Sequence, residues 1–204
     1  PALPDHPPAG FHKSIGAITG PFDPIALPTA APDQVDFEGE ICVVFGRPCH
    51  NVSAKEAMDY VAGYTILNDV SARDWIPALR SKEKPPIPPH FALNTMYKNF
   101  PTFCPLGPNV TTVDEIADFH ALRMVTRLNG EIMQDATIAD LIWDIPELIA
   151  RYSVVNRFMP GDVMSTGTPG GVGAGRNPPR FLRAGDIVSV AVGGIGEIAN
   201  PVVA

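Results

Sequence analysis

The sequence predicts a β-rich, mixed α/β fold with a few short helices. Three observations carry this. Hydrophobic residues make up 45% of 204, enough for a packed core within one domain. Pro and Gly contribute 23 and 18 residues, which favours short strands joined by turns over long helices. The apolar segments are short, rich in β-branched and aromatic residues, and bounded by turn chemistry.

Residues 1–35, opening PALPDHPPAG, follow neither the helical nor the strand period and read as an N-terminal extended arm ahead of a single domain over 36–204. The chain begins with Pro1 rather than Met, which leaves room for residues upstream and for an arm that is truncated. FEGEICVVFG (37–46) reads as a strand. Ser53 and Glu56 form a capping box, and Met58, Val61 and Ala62 supply an apolar stripe, so the spacing predicts a helix there. GYTILND (63–69) reads as a short buried strand, and 76–92 as a Pro-rich connection. Thr111 or Thr112 caps a short turn over VDEI. ALRMVTRLNGEIM (121–133) predicts a hairpin turning at Asn129-Gly130. Residues 146–155 predict a helix with Pro146 in its first turn and Leu148, Ile149, Tyr152 and Val155 on one face. PGDVMSTGTP (160–169) and AGDIVSVAV (184–192) read as strands introduced by Gly-Asp turns.

Several function classes are disfavoured. The net charge is −7 with no Lys/Arg run, so clustered cations for nucleic acid are missing. No apolar run reaches the length of a membrane span. The cysteines are Cys42, Cys49 and Cys104, an odd number without a C-x-x-C, which predicts a reducing, cytoplasmic setting and no disulfide framework. GTPGGVGAG (167–175) lacks the Gly-Lys-Ser/Thr ending of a phosphate loop and reads as a tight turn. His12, His50, His90 and His120 are scattered and form no ligand pair, and Cys42 has no nearby His base to make it a nucleophile.

The acidic residues are more informative. Glu38 and Glu40 lie two apart on a predicted strand and so share a face. Alone, they would pass for a solvated sheet edge. Asp69, however, ends an apolar strand, where a buried carboxylate needs a partner. Three carboxylates form an all-oxygen site suited to Mg²⁺, Mn²⁺ or Ca²⁺, with positions left for a chelating 2-keto acid. Asn68 would face away from Asp69 on the strand and is the weaker ligand. Arg73 reads either as a local ion-pair partner or as a clamp for a substrate carboxylate.

At GYTILNDVSARDW (63–75) the sequence resembles the fumarylacetoacetate hydrolase family. The likeness runs from about residue 11 to the C-terminus, through FHK (11–13), GP-x-DPI (20–25), EGEICVV (38–44), Lys98-Asn99-Phe100, CPLGP (104–108), LNGE (128–131), PGDVMSTGTPGGVG (160–173) and GDIVSV (185–190). It implies a mixed β-sandwich roll, usually dimeric, so a homodimer is expected. It implies that Glu38, Glu40 and Asp69 hold the metal, Mg²⁺ or else Mn²⁺ or Ca²⁺. Arg73 and Lys98 then serve catalysis and substrate binding, and Lys13 and Thr168 the substrate. Two departures stand out. Many relatives have Gln where this chain has Ile76. Relatives also carry a His–Glu pair about 14–17 residues before the position of Lys13, which here falls before Pro1, and His6 lies too close to Lys13 to replace it.

The first reading that the resemblance implies is metal-dependent hydrolysis of a C–C bond in an acylpyruvate-type 2,4-diketo acid, as in aromatic catabolism. The alternative keeps the site and changes the reaction to decarboxylation, isomerisation, tautomerisation or hydration of a 2-keto acid such as oxaloacetate or a hydroxymuconate. A third reading is a ligand-binding relative without catalysis. The water-activating pair, expected before Pro1, would serve hydrolysis and not the alternative, which adds weight to the alternative while hydrolysis stays the first reading.

Overall fold

The computed structural model describes residues 8–75 and 96–204. Two five-stranded sheets face each other across the core. The first orders β1 (Ile18–Thr19), β7 (Cys104–Thr112), β5 (Val61–Asn68), β4 (Gly39–Phe45) and β10 (Val163–Ser165). The second orders β2 (Ile25–Ala26), β12 (Gly196–Val203), β11 (Ile187–Val192), β8 (Arg123–Leu128) and β9 (Glu131–Thr137). A two-stranded ribbon joins β3 (Val35–Asp36) to β6 (Ser71–Ala72). Neighbours run antiparallel except for β1 on β7 and β2 on β12. The strand-rich make-up with few short helices is what the sequence predicts, and the sandwich is what the family resemblance implies.

The alternation of β4 decides what faces what. Ile41, Val43 and Phe45 point into the sandwich, where they meet Tyr64 and Ile66 of β5 and Met124, Val190 and Ile198 of the opposite sheet. Glu40 and Cys42 therefore lie on the other face, where Cys42 packs with Ala17, Leu67 and Cys104. The helix α1 (Ile145–Val155) closes the core with buried Leu148 and Ile149; Asp144 caps it and Pro146 lies in its first turn. The Asn129-Gly130 turn takes positive φ at both residues (53° and 85°), the type I′ geometry that suits a two-residue hairpin.

Some expectations need correction. Ser53 Oγ does donate to Glu56 Oε2 at 2.6 Å, but only a single 3₁₀ turn follows, over Ala57–Tyr60. Val61 and Ala62 open β5 instead of lining a helix. Pairing of Val61 with Phe45 of β4 outweighs the local helical signal there. Val155 is 78% exposed, so it leaves the apolar face expected of α1. The strands β7 and β12 went unread because Pro105, Pro108 and Pro201 interrupt their pattern. Within the segment read as an arm, β1 and β2 join the two sheets, and Ala17, Ile25, Ala31 and Val35 are buried. Ile76, His6, His90 and the whole Pro-rich connection at 76–92 lie outside the described residues.

Candidate metal centre and active site

Two adjacent strands build the centre. In the β4–β5 ladder Gly39 pairs with Asn68 and Glu40 with Leu67. Asp69 N–H donates to the Glu38 carbonyl at 2.8 Å, which brings the end of β5 beside the start of β4. Asn68 Oδ1 accepts from Glu38 N–H at 2.9 Å, so this side chain shapes the backbone and leaves ligation to Asp69. The glycine between the two glutamates faces the opposite sheet. A Cβ there would lie 2.2 Å from Thr126 Oγ1, so the E-G-E spacing depends on having no side chain at 39. The outcome is one oxygen each from Glu38, Glu40 and Asp69, all within 4.8 Å of one another and all buried. An all-carboxylate donor set at this spacing fits a hard divalent cation.

Positive groups surround the acids. Lys98 Nζ donates to Glu38 Oε2 at 2.6 Å and to Asp69 Oδ2 at 2.5 Å. Lys13 Nζ donates to Asp69 Oδ1 and to the Phe103 carbonyl, both at 2.7 Å, and also reaches the Lys98 carbonyl. Arg73 forms ion pairs, though not with Asp69, its neighbour in sequence. Its Nε donates to Asp36 Oδ2 at 3.0 Å and its other arm to Glu38 Oε1. Asp36 also accepts from the backbone N–H groups of Phe37, Gly173 and Ala174. Sequence reasoning missed this residue, although Asp36, Glu38 and Glu40 alternate in plain view.

The electrostatics divide the three acids. Glu38 and Asp69 have cationic partners. Glu40 has none among the described residues, and its carboxylate accepts only from Ser165 Oγ. Burial, with Asp69 and Glu38 adding repulsion, pushes its pKa up to about 8. Burial works to discharge Lys98, but Asp69 and Glu38 outweigh it and hold the ammonium above its ordinary range. Burial opposes the Arg73 charge too, and Glu38 and Asp36 more than restore it. With Glu40 protonated, Asp36, Glu38 and Asp69 are matched by Lys13, Arg73 and Lys98. An entering cation would replace the Glu40 proton and draw the carboxylates from their lysines. Burial also pushes the Cys42 thiol well up, which keeps it a neutral donor beside Ser165.

The centre opens into a cavity of about 1630 Å³ that includes Glu38, Glu40, Asp69, Arg73, Lys98 and Thr168 in its walls. Lys13 also lines it. Thr168 hangs from β4 by donating to the Gly39 carbonyl at 2.9 Å. Its hydroxyl accepts from Gln134 Nε2 at 2.8 Å, and the same nitrogen donates to the Pro169 carbonyl at 3.0 Å. Gln134 Oε1 takes Gly39 N–H at 3.0 Å. Sequence reasoning also missed Gln134 and Ser165; a buried Gln in a β-hairpin was the available signal for the first, and nothing local marked the second.

The chain matches the fumarylacetoacetate (FAA) hydrolase C-terminal family over residues 1–203. It belongs to that family. Among curated relatives of this fumarylacetoacetate hydrolase-family chain, the mitochondrial oxaloacetate tautomerase fahd2 of Xenopus laevis is 42% identical over 95% of the chain and 57% of its own length. The oxaloacetate tautomerase YisK of Bacillus subtilis is 38% identical over 98% of the chain and 62% of its own length. The chain thus spans about three fifths of these curated relatives. A crystal structure of 5-carboxymethyl-2-hydroxymuconate delta-isomerase from Mycobacterium smegmatis is 39% identical, with a TM-score of 0.83 over 99% of this chain and 71% of that one. Among the described residues no helix is long and apolar enough to cross a membrane.

Proposed function

We propose that this chain is the catalytic part of a divalent-cation-dependent tautomerase or isomerase of small 2-keto acids, with oxaloacetate-type substrates. The observation that carries this is Lys98 placed between Glu38 and Asp69, two of the three carboxylates that converge at the head of an open cavity. The tautomerase and isomerase names of the relatives support it over hydrolysis, which was the first reading from sequence.

Glu38, Glu40 and Asp69 would hold the cation, which supplies Lewis-acid polarisation of the 2-keto group when bound. Keto–enol exchange then needs a proton moved between a carbon and the neighbouring oxygen. Lys98 Nζ is the group we assign to this. As Glu38 and Asp69 share their charge with a cation, Lys98 keeps its burial and loses part of the attraction that holds it protonated. Its nitrogen can then take the proton from C3 and return one to the C2 oxygen. While protonated, it stabilises the enolate in a site that needs no reorganisation. Lys13 steadies Asp69, and Arg73 steadies Glu38 against Asp36.

The test follows enol-to-keto conversion of oxaloacetate by ultraviolet absorbance, beside cleavage of acylpyruvates, with Mg²⁺ or Mn²⁺ and after chelation. Cation-dependent tautomerisation faster than acylpyruvate cleavage is the expected result. Cleavage with no acceleration of tautomerisation would return the assignment to hydrolysis, and full activity in cation-free protein would remove the centre from the chemistry.

A further inference from the structure

The three acids of the centre are not held alike. Glu38 is gripped by Arg73 and Lys98, and Asp69 by Lys13 and Lys98. Glu40 has only the Ser165 hydroxyl among the described residues. Ser165 stands at the end of β10, where the ladder pairs it directly with Cys42 of β4. The Cys42 thiol, fully buried, donates to Ser165 Oγ at 3.2 Å. That contact occupies a lone pair of the serine oxygen and turns its proton toward Glu40 Oε2. A short chain thus runs from Cys42 through Ser165 to one oxygen of Glu40.

From this the geometry points to Ser165 as a positioning residue for cation binding: its hydroxyl, aligned by Cys42, fixes the one carboxylate of the centre that no cationic side chain among the described residues holds. The inference rests on the reading that Glu38, Glu40 and Asp69 bind a divalent cation. The physical reason is preorganisation. A carboxylate free to rotate must be ordered when the ion arrives, and a hydrogen bond made beforehand removes that cost. Nothing in the local sequence marks Ser165, because its partner Glu40 lies 125 residues away and is reached only through the β10–β4 pairing.

Calorimetric titration of the cation-free protein with Mn²⁺ tests this without reference to turnover. The arms are the parent protein, Ser165→Ala and Ser165→Thr, each checked for fold by circular dichroism. Ser165 borders the cavity, and threonine keeps the hydroxyl while adding one methyl. Expected is a loss of affinity of about tenfold or more in Ser165→Ala, the range for residues that orient a metal ligand, with Ser165→Thr within about threefold of the parent. Equal affinities in the parent and Ser165→Ala overturn the role of Ser165 alone. A Ser165→Thr that folds yet binds as weakly as Ser165→Ala overturns it too, since the hydroxyl would then not be what matters. No Mn²⁺ binding by the parent protein overturns the cation reading, and this inference falls with it.

Discussion

Lys98 Nζ lies 2.6 Å from Glu38 Oε2, a buried ion pair between the residue just before β4 and one from a segment 60 residues later. Such a pair binds together parts of the chain that nothing local associates, and its loss leaves uncompensated charge in a dry site. Lys98→Met should therefore lower tautomerisation by about a hundred- to a thousandfold, as expected for losing one donor to a developing enolate. In cation-free protein it should also cost about 3–5 kcal/mol, because Glu38 and Asp69 lose their shared partner. Added Mg²⁺ should recover most of that stability but little of the rate. Denaturant titrations with and without Mg²⁺, beside the oxaloacetate assay, separate the two effects. Recovery of rate and stability together would argue against proton transfer at Lys98.

The Glu40 carboxyl sets the pH dependence. Its pKa rises from an ordinary 4.5 to about 8 in the folded chain. Between those values the folded state keeps a proton that the unfolded state has released. Stability of the cation-free protein should therefore fall as pH rises from about 4.5 to about 8, and level off above. A bound cation takes the place of that proton, so the gain in melting temperature on adding Mg²⁺ should grow with pH over the same window. Glu40→Gln should flatten the slope. Melting curves at about pH 6 and about pH 8.5 check this. A cation-free protein that stabilises on going to the higher pH would contradict it.

Gln134 should matter to substrate rather than to the cation. Its amide joins Gly39, Thr168 and Pro169, and so hangs the cavity turn on β4. Gln134→Leu should cost about 1–3 kcal/mol, the penalty for leaving buried polar groups unpaired. Among molecules that remain folded, KM for oxaloacetate should rise while Mn²⁺ affinity stays near that of the parent protein. Steady-state kinetics beside calorimetry would show this, and a loss of Mn²⁺ affinity with KM unchanged would reverse the assignment.

Gly39→Ala tests the spacing of the acidic pair. The new methyl would meet Thr126 Oγ1 at 2.2 Å, so either β4 or β8 must shift. A cost of about 1–3 kcal/mol is expected from overpacking, together with weaker Mn²⁺ binding as Glu38 and Glu40 move apart. Combining it with Thr126→Ala should restore part of both. No recovery in the double variant would place the strain elsewhere.

Glu38 and Glu40 could be read from the E-x-E alternation, because side chains two apart on a strand share a face whatever lies around them. Asp69 could be read from its place at the end of an apolar strand. Asp36 was equally visible and was passed over, since its value lies in Gly173 and Ala174, which donate to it from 137 and 138 residues away. Only half of the capping box at Ser53 formed, with Glu56 accepting from the Ser53 N–H and hydroxyl, and no helix followed, because β4 claimed Val61 as the start of β5. Local rules hold where the competing interactions are also local.

By itself, then, the sequence determined the strand-rich class, the hairpin at Asn129-Gly130, the helix behind Asp144 and the three acids suited to a hard cation. These follow from periodicity, turn chemistry and residue type, all of which act over a few residues. Only the tertiary structure decided that Lys13, Lys98 and Arg73 are spent on those acids and that Thr168 is tied to Gly39 and Gln134. It alone left Glu40 to Ser165. Such pairings depend on strand register and on the burial of charge between distant segments, where the strength of each contact is set by how completely water has been removed.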